Sequence, residues 1–454
     1  MPRRNNFTLP VLGLGYIATC AKKAGFNVGV LDAESNGLGV SEITRLTNAA
    51  APRWVGLNLL APSYKHSIAI LQSLSPEIQV MLGGHQAKAM PREILRDRQI
   101  PRIDAMVLGE GEVRVEQLLA DIQSRKHLPL VYWRAGENDE EGTAASAGDK
   151  ARYLAPEIDA LPFIDRSFLS QDPFTSNEGR IESNLVGSRG CPYECSFCGA
   201  AKSANPDISI RTRSPQNILS EMQWLAEKHG VTAFRFVDDL FLANARFMNS
   251  CLPQFIESSV ANKWVWDATG RINVLAKADD TLLSLVSDSG CREIALGIES
   301  GSAKILSYID KHIRPEMTFK AVSALTDRGI NVKGYFILGF PGEGEADMNA
   351  TIEMIHKLWD STEKSPGTFR CSVFEFRPYP GTPEWHRLIA SGKYTKQQLL
   401  NYEHVDCTEN GNKLELLERD EFNFSVNIQF GGVQVSRIRS EVARLMETQK
   451  QRLR

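Results

Sequence analysis

The segment Gly190-Cys-Pro-Tyr-Glu-Cys-Ser-Phe-Cys-Gly199 places three cysteines, Cys191, Cys195 and Cys198, within eight residues. Their spacing, C-x3-C-x2-C, supplies three thiolates, whereas a closed tetrahedral zinc site or a fully ligated iron–sulfur cluster takes four. A four-iron cluster held by three thiolates keeps one iron open for a further ligand. The glycine and proline within the segment favour a loop wrapped around a metal over a helix.

A structural zinc site is the main alternative, and it would need a fourth ligand nearby. The next histidine or cysteine downstream is His229, which lies beyond a predicted turn and helix. The five remaining cysteines are scattered along the chain, so we interpret them as small buried hydrophobic side chains. They are Cys20, Cys251, Cys291, Cys371 and Cys407.

The composition is that of a soluble globular protein, with 42% apolar and 24% charged residues among 454. Net charge is −3, so we expect no general attraction to nucleic acid or to anionic membranes. The chain contains no apolar run near the roughly 18 residues that a membrane-spanning helix needs. Eight cysteines in a chain of this length, three of them clustered, fit a reducing compartment better than a disulfide framework. We therefore expect a cytoplasmic protein with no membrane span and no nucleic-acid partner.

From about residue 183 onward, short apolar segments alternate with amphipathic segments that end in glycine. Ser214-Pro215 predicts the start of one such helix and Gly230 its end. Six strand–helix units in succession predict a partial (βα)6 TIM-like barrel, with its site at the carboxyl ends of the strands. The predicted strands are 183–189, 233–239, 264–271, 293–300, 332–340 and 371–379.

Polar clusters follow four of these strands. They are Val237–Asp239, Leu296–Ser302, Gly339–Glu343 and Pro378–Thr382. Together with the cysteine segment, they resemble the motifs of the radical S-adenosylmethionine (AdoMet) superfamily, and the resemblance spans 184–385. It implies a 4Fe-4S cluster on the three cysteines, AdoMet bound to the open iron, and formation of a 5′-deoxyadenosyl radical.

The same resemblance implies a set of AdoMet contacts. Asp238 and Asp239 would hold the amino group, and Glu299 and Ser300 would contact the ribose. The residues implied near the adenine and the rest of the cofactor are Phe197, Gly339 and Tyr379. Carboxylates at strand ends suit the ammonium and hydroxyl groups that AdoMet presents.

Residues 1–125 alternate predicted strands and helices in the manner of a doubly wound, Rossmann-like α/β sheet. The predicted strands are 28–31, 55–60, 80–82 and 105–108. Gly13-Leu-Gly15 is not a dinucleotide fingerprint, because no strand of adequate length precedes it. The order of segments 10–18, 30–32, 82–85 and 109–112 resembles the cobalamin-binding domain of one radical AdoMet subfamily. The resemblance implies cobalamin contacts at Asp32, Glu34, Asn58, Gly83, Gly84 and His85.

This first domain departs from the subfamily pattern at three places. Glu34 stands where some cobalamin domains carry a histidine, which implies cobalt without a protein imidazole. Asn58 stands where a serine is expected. Only nine residues precede Pro10, so either the opening strand of the domain is missing or the true start lies further upstream.

The predicted domains are a cobalamin-binding-like domain over 1–125, a polar connector over 126–180, the radical AdoMet barrel over 181–385 and a small helical region over 386–454. The leading hypothesis is cobalamin-dependent methylation of an unactivated carbon in a small molecule of secondary metabolism. An electron donor such as flavodoxin or ferredoxin would be the protein partner. The alternatives are a cobalamin-independent radical dehydratase, epimerase or rearrangement enzyme with a degenerate first domain, and a non-catalytic cluster or zinc module.

Overall fold

The computed structural model describes residues 10–33, 35–36, 38–134, 140–143, 157–176, 178–205, 210–404 and 424–452. Glu34, one of the expected cobalamin contacts, lies outside these residues. The chain forms two compact units. The first comprises Met1–Asp172, Ala204–Ser209 and Tyr379–Tyr394, and the second comprises Pro173–Ser203, Ile210–Pro378 and Thr395–Arg454.

A five-stranded sheet organises the first unit. Its strands, in both chain and spatial order, are β1 (Trp54–Asn58), β2 (Gln79–Gly83), β3 (Ile103–Val107), β4 (Val131–Arg134) and β5 (Glu140–Thr143). The pairs β1–β2 and β2–β3 are parallel, whereas β4 and β5 add antiparallel strands. Val80 and Leu82 pack into one apolar cluster and Met81 into another. Because successive side chains of a strand point to opposite faces, the sheet is buried on both sides, as the Rossmann-like prediction requires.

Within the described part of the chain, six α-helices precede the fourth strand of this sheet. They are α1 (Leu12–Lys23), α2 (Val40–Ala50), α3 (Tyr64–Ser73), α4 (His85–Ala89), α5 (Pro91–Arg96) and α6 (Glu112–Ala120). The strand predicted at 28–31 is wrong: these residues form no strand, and Leu31 is 45% exposed. A Cβ at Gly29 would meet no atom within 4 Å, so neither Gly29 nor the exposed Leu31 packs against a neighbour that would hold an extended strand. Strands β4 and β5, in contrast, fall in the segment predicted to be a polar connector.

The second unit contains the predicted partial barrel. Its strands are β6 (Phe174–Thr175), β7 (Ile181–Leu185), β10 (Ala233–Phe236), β11 (Val265–Gly270), β12 (Cys291–Glu299), β13 (Asn331–Leu338) and β14 (Phe369–Glu375), with the short pair β8 (Ser188–Arg189) and β9 (Arg211–Thr212) inserted between β7 and β10. The sheet order is β14-β13-β12-β11-β10-β7-β6, and all neighbours are parallel except β6. Each of the six predicted strands overlaps one of these parallel strands, which confirms the partial (βα)6 architecture.

The helices between these strands begin and end at residues that the sequence marks. The Ser214 hydroxyl accepts the N–H of Asn217, Pro215 occupies the first helical position, and Gly230 ends the helix with a φ of 69°. The helices are α7 (Pro215–His229), α8 (Ala245–Glu257), α9 (Val260–Lys263), α10 (Ile272–Leu275), α11 (Asp280–Asp288), α12 (Ala303–Tyr308), α13 (Pro315–Thr326) and α14 (Glu345–Thr362). Within the described residues, no helix is long and apolar enough to cross a membrane.

Beyond β14 the residues that the structure describes are mostly helical. The elements are α15 (Pro383–Ala390), α16 (Lys396–Leu399), the short antiparallel pair β15 (Glu403–His404) and β16 (Phe424–Ser425), and α17 (Val435–Arg452). Helix α17 covers the edge strand β14. The buried amide of Gln449 on α17 accepts the N–H of Cys371 at 2.5 Å and donates to the Cys371 carbonyl at 3.0 Å. This side chain therefore satisfies backbone groups that an edge strand would otherwise leave open.

We predict that Gln449→Ala lowers the free energy of unfolding by about 2 kcal/mol or more, because it leaves a buried donor and a buried acceptor unpaired. Chemical denaturation of the two proteins measures the difference. The exposed Gln451, two positions along the same helix, provides the matched control. Gln451→Ala should change stability by no more than about 0.5 kcal/mol, and an equal loss in both variants would contradict the role given to Gln449.

Candidate active site

The cysteine segment leaves and rejoins the barrel at the end of β7. Strands β8 and β9 pair antiparallel, Ser188 with Thr212 and Arg189 with Arg211, and so close the base of the loop. Arg213 fastens the returning chain. Its guanidinium donates to the Val186 carbonyl at 2.9 Å and to the buried Glu221 carboxylate at 2.5 Å. The loop is therefore anchored to the carboxyl end of the first parallel strand, where a barrel holds its site.

The three thiols lie close enough to influence one another's ionisation. Burial raises the pKa of Cys198 to about 12, and the charges of Cys195 and Cys191 add to the rise. Burial likewise raises the pKa of Cys191, and Cys195 contributes. Three thiolates in one loop thus need compensating positive charge, which a metal centre provides.

The donor set fits an iron–sulfur cluster better than a single zinc ion. Among the residues with described coordinates, no three His, Cys, Asp or Glu side chains converge closely enough to hold one metal ion. A four-iron cluster is larger and takes one thiolate at each of three corners, so the thiols need not meet at a point. His229, the candidate fourth zinc ligand, lies on the last turn of α7, with its ring against Trp224. That turn precedes the amino end of β10, the opposite end of the barrel from the cysteine loop.

Two buried cations lie beside the thiols, and the sequence analysis missed both. Arg271, 6% exposed, donates from Nη1 to the Sγ of Cys195 at 3.3 Å. Lys311, also 6% exposed, acts electrostatically to lower the pKa of Cys198. Each follows a barrel strand, Arg271 directly after β11 and Lys311 beyond α12. That position is the signal that could have identified them.

Glu299 and Lys311 form a buried ion pair, with Nζ of the lysine 2.6 Å from Oε1 of the glutamate. Glu299 ends β12 with a φ of 66°, a left-handed conformation that is uncommon for residues other than glycine. A Cβ at Gly297 would lie 2.3 Å from the Glu299 carboxylate and 2.7 Å from the lysine nitrogen. The glycine therefore makes room for the pair, and strained backbone at such a position is typical of functional sites.

The two neighbouring aspartates differ sharply in their surroundings. Asp238 is buried, and its carboxylate accepts the Gly187 N–H and the Ser188 hydroxyl, both at 2.7 Å. Burial raises the pKa of Asp238 to about 7, and these hydrogen bonds partly offset the rise. Asp239 is exposed and close enough to Cys191 to raise the pKa of that thiol. The structure thus uses Asp238 to hold the entry to the cysteine loop and presents the Asp239 carboxylate at the site.

Ser300 and Gly339, two more of the predicted AdoMet contacts, form hydrogen bonds with other groups of the protein. The buried Ser300 hydroxyl lies 3.0 Å from the Thr351 hydroxyl and accepts the Ser302 N–H at 3.1 Å. Gly339, at a φ of 92°, donates its N–H to the Glu343 carboxylate, which also accepts the Phe340 N–H at 3.0 Å. Burial raises the pKa of Glu343 to about 7. These groups fix the turns after β12 and β13.

The aromatic residues are divided between the two units. The Phe197 ring meets Phe340 edge-on, with ring centroids 5.5 Å apart, so it joins the cysteine loop to the turn after β13. Tyr379 comes four residues after β14 and begins the 379–394 segment of the first unit.

In the first unit, most of the expected cobalamin residues lie at or just beyond the carboxyl ends of β1 and β2. Asn58 ends β1 directly beside Gly83, at the end of β2. Gly84 has a φ of 93°, and a Cβ there would lie 2.0 Å from Oδ1 of Asn58, so the turn into His85 and α4 requires glycine. Leu60, two residues beyond β1, is 40% exposed near this turn. Asp32 lies in a separate loop, where its carboxylate accepts the Ser35 N–H at 3.1 Å.

Comparison with known proteins agrees with both halves of the chain. Residues 185–355 match the family model of the radical SAM superfamily, and residues 5–119 match that of the B12 binding domain. An uncharacterized methyltransferase from Pyrococcus horikoshii is 26% identical over 88% of this chain and 83% of its own length. Cytidylyl-2-hydroxyethylphosphonate methyltransferase from Streptomyces wedmorensis is 26% identical over 84% of this chain and 78% of its own.

A solved structure of the radical S-adenosylmethionine methyltransferase TsrM from Kitasatospora setae, with cobalamin and a [4Fe-4S] cluster bound, superposes with a TM-score of 0.65. The two sequences are 18% identical, and the superposition covers 88% of this chain and 79% of TsrM. At this identity the likeness establishes the fold. The cofactors of the two matched domains are a 4Fe-4S cluster with AdoMet and cobalamin. The chain is thus a radical SAM enzyme, belonging to those members of the superfamily that carry a B12 binding domain ahead of the barrel.

Proposed function

We propose that this enzyme transfers a methyl group from cobalamin to an unactivated carbon of a small molecule, in secondary metabolism. One observation carries the proposal: a single chain combines a loop of three mutually interacting thiols with a B12 binding domain. The relatives named as methyltransferases support the methyl transfer. The net charge of −3 supports a small-molecule substrate over a nucleic acid.

When bound, the 4Fe-4S cluster with AdoMet supplies a 5′-deoxyadenosyl radical, and cobalamin supplies a methyl group that a carbon radical can accept. The protein residues provide orientation and charge. Three thiolates fix the cluster, and Arg271 and Lys311 offset their negative charge. An electron donor such as flavodoxin or ferredoxin would supply the reducing electrons.

We assign the polar groups of the site to parts of AdoMet by their charge. The exposed Asp239 carboxylate binds the ammonium, because it is accessible and lies near Cys191, whereas the buried Asp238 holds the entry to the cysteine loop. The Glu299 carboxylate, oriented by Lys311, accepts hydrogen bonds from the ribose. The Lys311 ammonium binds the AdoMet carboxylate, since a buried lysine next to the thiols has the complementary charge.

Replacing Cys191, Cys195 or Cys198 by alanine should abolish iron retention and AdoMet cleavage, because each thiolate holds one iron. Iron content, visible absorbance and 5′-deoxyadenosine formation are measured after anaerobic reconstitution. Cys291→Ala is the control. Cys291 is buried at the amino end of β12, away from the site, and this variant should keep the cluster. A variant that lacks one of these three cysteines and still forms 5′-deoxyadenosine would refute the assignment.

Asp239→Asn should weaken AdoMet binding about ten- to a hundredfold, because a charge-assisted hydrogen bond contributes roughly 1.5–3 kcal/mol. Calorimetry on the cluster-loaded protein measures the affinity. Asp238→Asn serves as the matched comparison. It should lower thermal stability by disturbing the Gly187–Ser188 contacts while leaving AdoMet affinity within about threefold, below the loss of one such bond. Weakened AdoMet binding in Asp238→Asn, with unchanged binding in Asp239→Asn, would instead assign the ammonium to Asp238.

The methyl-transfer proposal is tested with hydroxocobalamin. The anaerobic protein should retain one corrinoid per chain through gel filtration and form methylcobalamin from AdoMet on reduction. Gly84→Ala should lose the corrinoid while keeping iron, because the added Cβ would displace the Asn58 side chain at the carboxyl end of β1. Failure of the wild-type protein to retain corrinoid, with 5′-deoxyadenosine still produced, would refute cobalamin-dependent methylation and favour a cobalamin-independent radical reaction.

A further inference from the structure

The guanidinium of Arg271 makes three separate contacts in the interior of the second unit. Its Nη1 donates to the Sγ of Cys195 at 3.3 Å, and its Nη2 donates to the Lys311 carbonyl at 2.6 Å. Its central carbon lies 3.8 Å from the centroid of the Tyr193 ring. A third donor, Nε, is buried and has no hydrogen-bond partner among the described residues. The group therefore keeps N–H donors that can bind a further acceptor inside the site.

The three sulfurs are not equivalent in their donors. Cys191 and Cys198 each accept a neutral backbone N–H, from Tyr193 and Ala200 respectively. Cys195, which is 5% exposed, accepts a charged donor. A charged hydrogen bond is roughly twice as strong as a neutral one, and burial strengthens it further. The electron density on one corner of the site is consequently lowered more than on the other two.

We propose that Arg271 is a positioning residue that raises the reduction potential of the cluster held by Cys191, Cys195 and Cys198. The inference rests on the proposed function, because it requires that these cysteines hold a 4Fe-4S cluster. Hydrogen bonds to the sulfurs and nearby charge are the means by which a protein sets such a potential. Reduction adds one negative charge, and a fixed cation at the Cys195 sulfur stabilises the reduced form more than the oxidised form.

The geometry explains why arginine fits this position better than lysine. A planar guanidinium stacks on the Tyr193 ring and donates in two directions at once, whereas a lysine ammonium is a point charge on a flexible stem. The second direction joins the cluster loop to the turn that carries Lys311. Ser196 reinforces the joint, because its N–H donates to the Ile309 carbonyl at 3.0 Å. The residue that sets the potential is thus fastened to the turn that we assign to AdoMet.

The test is an EPR-monitored redox titration of the protein after anaerobic loading with iron and sulfide. Arg271→Gln removes the charge and should lower the midpoint potential by at least about 59 mV. This shift corresponds to a tenfold smaller ratio of reduced to oxidised cluster at a fixed potential for a one-electron couple. Arg271→Lys keeps the charge and should recover part of the shift. Arg246→Gln, at an exposed arginine, should leave the potential unchanged.

Iron content and circular dichroism accompany each titration. If Arg271→Gln alone loses iron, a lowered potential in Arg271→Lys still supports the inference. Full iron content with an unchanged potential in Arg271→Gln would overturn it. So would loss of iron from both folded variants, which would assign Arg271 to cluster retention. A wild-type protein that binds no EPR-active cluster would overturn the proposed function as well, whereas a wild-type cluster with an unshifted variant overturns this inference alone.

Discussion

Three thiols held in one short, partly buried loop set the main electrostatic constraint on the second unit, because metal binding requires all three to lose their protons. Burial raises the pKa of Cys191 and Cys198, so the polypeptide alone disfavours the ionised state that metal binding needs. Two buried cations favour the ionised thiols. Arg271 donates to the Cys195 sulfur, and Lys311 lowers the pKa of Cys198. The barrel supplies both from loops that follow its strands. The fold can be understood as a rigid frame that brings positive charge to a place where negative charge must collect.

Carboxylates serve two purposes around this centre. Asp238 and Glu343 are buried and accept backbone N–H groups, so each fixes a loop at a strand end. Glu299 is paired with a buried lysine, and Asp239 is exposed. Asp238 and Asp239 thus differ in role, because the Asp238 carboxylate is hydrogen-bonded to Gly187 and Ser188 at the entry to the cysteine loop. Backbone groups left unpaired in the interior are costly, and this cost explains why the structure commits two acids to the task.

Much of this architecture could be predicted from local pattern. The six barrel strands, their capped helices and the three-cysteine loop follow from periodicity, from N-cap residues such as Ser214 and from spacing. The strand at 28–31 could not be judged in this way, because pairing depends on neighbours that a local pattern does not contain. Strands β4 and β5 were missed for the same reason. Lys311 and Arg271 also escaped prediction, since a lone basic residue in a loop has no periodic signal, and its partners come from distant parts of the chain.

The incomplete barrel has two sheet edges, one covered by a neighbouring segment of the chain and the other by a distant one. Strand β6 pairs with β7 on one side, and Gln449 of α17 binds the backbone of β14 on the other. During synthesis, β14 leaves the ribosome more than 70 residues before the side chain that seals it. Throughout that interval the nascent sheet presents an open edge to other chains.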